Sequence, residues 1–174
     1  MKTIIFTSLE PAFEAELDTW YAKLILSDPE YSHVTHWAVA DYTLVMMDGD
    51  QWASAIELFN QTIRVNGEPV AVCGVSGVMT HPDYQGRGLS SQLMQQALKL
   101  MQEKFDPPFA VLDCRKPLIP FYTRLGFKHV PGRIRYQQPD GEKMFDPARV
   151  NIMVNPLKGI AWKNGDIDLD GLPW

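Results

Sequence analysis

The sequence predicts an α/β (α+β) fold in which a mixed, mostly covered sheet is flanked by helices. Three observations carry that expectation. Residues 70 to 80 are apolar on both faces, with Val70 and Val72 on one side and Ala71, Cys73 and Val75 on the other. Such a strand belongs in the middle of a covered sheet. Next, Leu89, Leu93, Ala97, Leu100, Met101 and Phe105 mark one helical stripe, and FAVLDC follows as a second buried strand. Strand, helix and strand in that order give a parallel crossover. Finally, Asn66-Gly67 joins two strand-like runs, a strong hairpin signal because both central turn positions need positive φ.

The other elements follow in chain order. Between Pro11 and Leu26, Phe13, Leu17, Tyr21, Leu24 and Ile25 recur at helical intervals until Asp28-Pro29 stops them. The run HWAVADYTLVMM, His36 to Met47, reads as a strand ended by Asp48-Gly49-Asp50. Gly74 and Gly77 interrupt the central strand, where a bulge or a close backbone approach is expected. PFYTRLGF reads as a short helix with Pro120 in its first turn and Gly126 as its terminator. RIRYQQ and RVNIMVN are two further strand candidates.

A length of 174 residues suits a single domain with one sizeable core. A net charge of −5 argues against a nucleic-acid partner, because neutralising phosphates needs clustered Lys and Arg. It is compatible with a cationic substrate. No apolar run approaches the length of a membrane span, and the N-terminus has no signal-type cleavage site, so the expectation is a cytoplasmic protein that does not engage a membrane. Cys73 and Cys114 read as buried free thiols, and the four histidines form no metal-type spacing.

The stretch HPDYQGRGLSSQ, residues 81 to 92, sits between the central strand and the long helix. A helix N-terminus presents unpaired N–H groups and the positive end of the helix dipole. Gly86 and Gly88 leave that backbone open, Arg87 adds charge, and Ser90 and Ser91 can cap the helix or donate to phosphate oxygens. No Gly-Lys-Ser/Thr follows, so it is not a Walker loop.

The segment VSGVMTHPDYQGRGLSSQL resembles the acetyl-CoA-binding motif of the GNAT (Gcn5-related) N-acetyltransferases, read here as Gln85-Gly86-Arg87-Gly88-Leu89-Ser90 with Ser in place of the usual final Gly or Ala. The second signature of that family is matched by Phe121-Tyr122-Thr123-Arg124-Leu125-Gly126-Phe127. The asparagine usual seven residues before the tyrosine is Arg115 here. The resemblance implies a GNAT-type mixed central sheet of about six to seven strands, acetyl-CoA as cofactor, and a primary amine as acceptor. It also implies that the backbone around Val78, Met79 and Thr80 pairs with the pantetheine arm, that the amides of Gln85 to Ser90 cradle the pyrophosphate, and that the Tyr122 hydroxyl attends the leaving thiolate.

An alkyl ammonium must lose a proton before it can attack a thioester, at a cost of about 4–5 kcal/mol at pH 7. Glu57 is the candidate base. A bulged strand at Gly77 to Met79 is the candidate for donating an N–H to the carbonyl oxygen. The order of segments, with Trp162-Lys163-Asn164-Gly165-Asp166 and Trp174 near the end, also resembles the aminoglycoside 2′-N-acetyltransferases. Their expected acid before Gly77 is Ser76 here. On that likeness Ser76, Asp166, Asp168, Asp170 and Trp174 are acceptor-binding candidates, and the tail from about residue 157 could close the acceptor site. Acetylation of a peptide, and a non-catalytic acyl-CoA-binding module, are the competing readings; edge strands and the tail are compatible with a homodimer.

Overall fold

The computed structural model describes all 174 residues. The elements run in chain order as β1 (Lys2–Phe6), α1 (Pro11–Leu24), β2 (Tyr42–Asp48), β3 (Gln51–Val65), β4 (Glu68–Thr80), α2 (Leu89–Lys104), β5 (Phe109–Arg115), α3 (Ile119–Thr123), β6 (Lys128–Val130), β7 (Ile134–Gln138), β8 (Gly141–Met144), β9 (Val150–Pro156) and β10 (Ile167–Asp168). All ten strands join one mixed sheet, in the order β6-β9-β5-β4-β3-β10-β7-β8, with β2 and β1 also reached from β3. Seven strands of five residues or more form its body, roughly the six to seven that the family resemblance implied, although β1 was not among the strands expected; β6, β8 and β10 extend the sheet to ten.

The sheet divides at β3. Residues 51 to 58 pair on one edge with β2, whereas Arg64 and Val65 pair on that edge with β10. The other edge pairs with β4 throughout, closed by the Asn66-Gly67 turn with φ of 51° and 84°. Helix α2 covers one face of the sheet through Leu93, Met94, Ala97 and Met101. Helix α1 covers part of the opposite face through Leu17, packed on Val45, Trp52 and Met79. The remainder of that face is filled by β7, β10 and the tail around Phe59, Tyr136, Ile167 and Trp174.

Two features of β4 place the site. Its pairing with β3 shifts between Ala55 and Glu57, so that Gly77 and Val78 together oppose Ile56. Gly77 sits there at φ +58°, which makes this the expected bulge. Its parallel pairing with β5 lasts only from Val72↔Phe109 to Gly74↔Val111. Beyond Gly74 the two strands part, although β5 continues to Arg115 on its other partner, β9. A wedge therefore opens between Val75–Thr80 and Leu112–Arg115.

Gly74 answers the other half of the glycine expectation. A Cβ there would overlap the indole ring of Trp174, so the close approach is to a side chain of the tail. Residues 36 to 41, expected as strand, are not strand. They run extended over the tail, where Gln138 Oε1 accepts from the His36 amide at 3.1 Å and the Ala38 amide donates to the Pro173 carbonyl at 2.7 Å. With the His36 and Ala38 amides engaged in this way and the Asp41 amide on the Leu58 carbonyl, regular strand pairing starts only at Tyr42.

Candidate active site

The wedge between β4 and β5 holds a cavity of about 270 Å³, lined by Val75 to Thr80 from one strand and Asp113 to Arg115 from the other. Gln85, from the loop before α2, and Tyr122, from α3, also face it. At its outer end lies the glycine loop. Gly86 and Gly88 have φ of +75° and +72°, with open space where a Cβ would stand. Gly88 is the N-cap of α2 and offers no side-chain cap. The amides of residues 86 to 91 donate to no backbone carbonyl of the chain, so a row of N–H groups and the helix dipole point out of the loop. That is the donor set a pyrophosphate requires, and the residues present fit it.

The side chains of the loop are less free than its backbone. Arg87 lies over the Tyr84 ring, its guanidinium donating to the Asp83 carbonyl at 2.8 Å. Ser90 Oγ sits 2.5 Å from Thr80 Oγ1, which itself lies 3.2 Å from Ser54 Oγ. That chain ties the end of β4 to the start of α2. Leu89 is buried in the α2 core and offers only its amide, while Ser91 is half-buried. Arg115 lines the cavity and pairs with Asp28 at 3.3 Å, so the residue standing in the usual asparagine position holds down the segment after α1.

Tyr122 is buried beside Phe121 and Phe127, with ring centroids 4.9 and 5.9 Å away in edge-on contact. Burial, followed by the neighbouring Cys114 and Asp113, pushes its phenol well above the ordinary range. It is therefore a protonated hydrogen-bond donor at neutral pH. Burial likewise pushes the Cys73 and Cys114 thiols up to about 12, which makes them inert.

A second cavity, of about 520 Å³, opens beneath α1 on the other side of the β4 bulge. Tyr21, Trp37, Met79 and Trp174 line both cavities and form the partition between them. Glu57 lies in the second, its carboxylate folded against Gly77: a Cβ on that glycine would come within 2.9 Å of Glu57 Oε2. Burial first, and then the like charges of Asp18 and Glu14, raise the Glu57 carboxyl from 4.5 to about 7. Ser76 faces the first cavity, 3.4 Å from the Tyr21 hydroxyl.

The tail acids are elsewhere. Asp166 binds the Arg133 guanidinium at 2.5 Å and its backbone amide at 3.0 Å, which holds its carboxyl below the usual range. Asp168 caps the Asp170 amide and faces Arg135, and Asp170 accepts from Arg64 at 3.2 Å. All three lie outside both cavities. Their charge fastens β10 between β3 and β7 through these ion pairs, away from the residues that line the two cavities. Only Trp174 of the tail reaches the site, buried and stacked on Phe59 at 6.2 Å.

Several lining residues escaped the sequence reading. Glu14 and Asp18, one helical turn apart around the buried Leu17, were detectable as an acidic edge on α1. Asp113 was detectable as the lone acid in an apolar strand. Its carboxylate accepts from the Tyr31 hydroxyl at 2.6 Å, and burial raises it to about 6 despite that bond. Trp37 and Tyr21 carried no local signal, since their rings meet edge-on at 6.2 Å only through the fold.

A bulged strand splayed from its parallel neighbour, an uncapped helix N-terminus at the mouth of the wedge and a buried tyrosine beside it are the features that the resemblance to the GNAT acetyltransferases implied. Residues 15–130 match the acetyltransferase (GNAT) domain family, and the chain belongs to it. Acetyltransferases of this kind draw their acetyl group from acetyl-CoA. Over 133 residues, 72% of this chain, it is 30% identical to the tRNA(Met) cytidine acetyltransferase TmcA of Aeropyrum pernix, of whose length it spans only 19%. Among solved structures, Escherichia coli ElaA superposes with a TM-score of 0.64 at 12% identity, over 88% of this chain and 98% of that one. An N-acetyltransferase from Lactobacillus plantarum gives 0.60 at 22% identity, over 90% and 97%. The Escherichia coli GNAT protein YhbS, solved with CoA, gives 0.55 at 20% identity, over 97% and 89%. These likenesses are of fold.

Proposed function

We propose that the chain transfers the acetyl group of acetyl-CoA directly to a small cationic primary amine. The observation that carries this is the pair of cavities meeting at the β4 bulge, with Glu57 on one side and Tyr122 on the other. The acetyl thioester supplies the electrophilic carbonyl. The amides of residues 86 to 91 hold the phosphates, and the freed edge of Val75–Thr80 pairs with the pantetheine arm. Glu57 takes the proton of the incoming ammonium; with its carboxyl near 7 it is poised to do so at neutral pH. A bulge amide between Gly77 and Met79 donates to the carbonyl oxygen as charge gathers there. Tyr122 donates a hydrogen bond, not its proton, to the departing sulfur, because its phenol is far weaker as an acid than a thiol near 8.5.

The narrower reading, an aminoglycoside or amino sugar, came from the likeness in segment order and tail; its acceptor candidates Asp166, Asp168 and Asp170 pair with arginines, whereas Glu57, Glu14 and Asp18 line the cavity we assign to the acceptor. A second reading has a specific basis, acetyl transfer to an RNA base, from the likeness to the tRNA acetyltransferase. The net charge of −5 and an acceptor cavity whose charged groups are all acids weigh against it. The test is calorimetry of acetyl-CoA binding together with mass analysis of amines and tRNA after incubation. An acetylated amine supports the proposal, and acetylated RNA with unmodified amines refutes it.

A further inference from the structure

Narrowing the N-acetyltransferase reading above, on which this rests, we propose that the acceptor is a compact hydrophobic primary amine, an alkyl- or arylalkylamine bearing one ammonium group. The cavity beneath α1, at about 520 Å³, is of a size for a small molecule and not for a polymer. Twelve of its eighteen lining residues are hydrophobic, and neither Lys, Arg nor His is among them. Its inner end is polar and acidic where the carboxylate of Glu57 meets the bulge at Gly77. Its body is aromatic and aliphatic: Phe59, Trp174, Leu9, Leu26 and Ala40. Val39, at 90% exposure, places a bare apolar side chain on the rim.

This is an amphipathic cavity with one charged end. An ammonium at Glu57 leaves a hydrocarbon or aryl group to fill the remainder, where burial of apolar surface favours it. The exposed Glu14 and Asp18 add negative charge that draws a cation inward. A polyhydroxylated amino sugar has the wrong complement. Thr7, Ser8, Thr43 and Tyr21 are the uncharged hydroxyls available, and sugar hydroxyls set against the apolar wall would lose water partners without replacement. The tail closes the cavity on that side, because Trp174 is seated on Gly74 and Phe59. In the transfer, the amine nitrogen bonds to the acetyl carbon while the carbon–sulfur bond breaks. The ammonium gives one proton to Glu57 before attack. As the carbon–sulfur bond breaks, the nitrogen gives up a second, which passes to the departing sulfur, so that coenzyme A leaves as its thiol and the amide keeps one N–H.

The experiment compares kcat/KM by thiol release at saturating acetyl-CoA for 2-phenylethylamine, tryptamine and hexylamine against kanamycin, spermidine and a lysine peptide. The intrinsic tryptophan fluorescence, to which Trp37 and Trp174 contribute from the cavity wall alongside the other three tryptophans, is followed on adding each amine to the CoA-bound protein, with Trp37→Phe as the control that removes one cavity reporter. The proposal expects at least one hydrophobic amine to exceed kanamycin and spermidine by about tenfold or more, with a saturable fluorescence change for that amine. Equal or higher kcat/KM for kanamycin, spermidine or the peptide overturns the substrate class but leaves an N-acetyltransferase. No acetylation of any amine, with calorimetry showing acetyl-CoA bound, overturns both readings.

Discussion

Replacing Glu57 with Gln tests the base and the energetics of its burial in one variant. In the folded chain the carboxyl titrates near 7 instead of 4.5, because burial and then the charges of Asp18 and Glu14 oppose ionisation. A raised carboxyl binds its proton more tightly in the folded state. The associated stability is therefore complete below about 4.5, declines as pH rises, and is lost above about 7. The loss amounts to roughly 3 kcal/mol at most, from 1.36 kcal/mol per pKa unit. Gln cannot ionise, so Glu57→Gln should melt close to the natural protein at pH 5 and higher at pH 8.5. The limit is about 6–12 °C, at some 2–4 °C per kcal/mol for a chain of this size. Activity should move the opposite way, with kcat/KM falling about 10²–10⁴-fold. The natural enzyme's pH profile should rise up to about 7 as Glu57 loses its proton, above which only the amine's own titration remains; the variant should show the amine limb alone. Melting curves at both pH values and thiol-release kinetics from pH 5 to 9 measure all of this. A variant with undiminished kcat/KM, or one that is less stable at pH 8.5, would refute the reasoning.

Other perturbations probe the remaining parts of the site. Tyr122→Phe removes one hydrogen bond to a developing charge, so kcat should drop roughly 10–100-fold with acetyl-CoA affinity unchanged by calorimetry; equal turnover would remove the tyrosine from the mechanism. Gly88→Ala forces a side chain into φ +72° at the mouth of the wedge and should weaken acetyl-CoA binding, with about 1–2 kcal/mol of lost stability by chemical denaturation. Gly74→Ala displaces the Trp174 ring and should loosen residues 166 to 174, read as faster hydrogen exchange there together with a raised amine KM. Asp168→Asn removes an acid that reaches only Arg135 and the Asp170 amide, and should leave amine kinetics within about twofold, as surface ion pairs are weak.

Much of the β4–α2 half of the proposed site was readable in one dimension because it is built from consecutive residues. The apolar run 70–80, the Gly86-Arg87-Gly88 loop and the stripe of α2 each obey local rules of periodicity and turn chemistry, and they meet in space because they are contiguous in the chain. Gly77 announced its bulge for the same reason: only a residue without a side chain takes φ +58° at no cost. Asn66-Gly67 likewise dictated its turn. The acceptor half obeys no such rule. Glu57, Glu14 and Asp18 come from two elements, and their mutual repulsion exists only once α1 lies across β3. The tail acids looked like a cation site in sequence, since a string of Asp residues carries no mark of its partners. Arg64, Arg133 and Arg135 reach them only through the pairing of β10 with β3 and β7. Local backbone preference thus determined the glycine loop, the hairpin and the crossover from sequence alone. Which carboxylates line a cavity, and which are bound to arginine, was decided by tertiary packing, because a charge is defined by what the fold brings within reach of it.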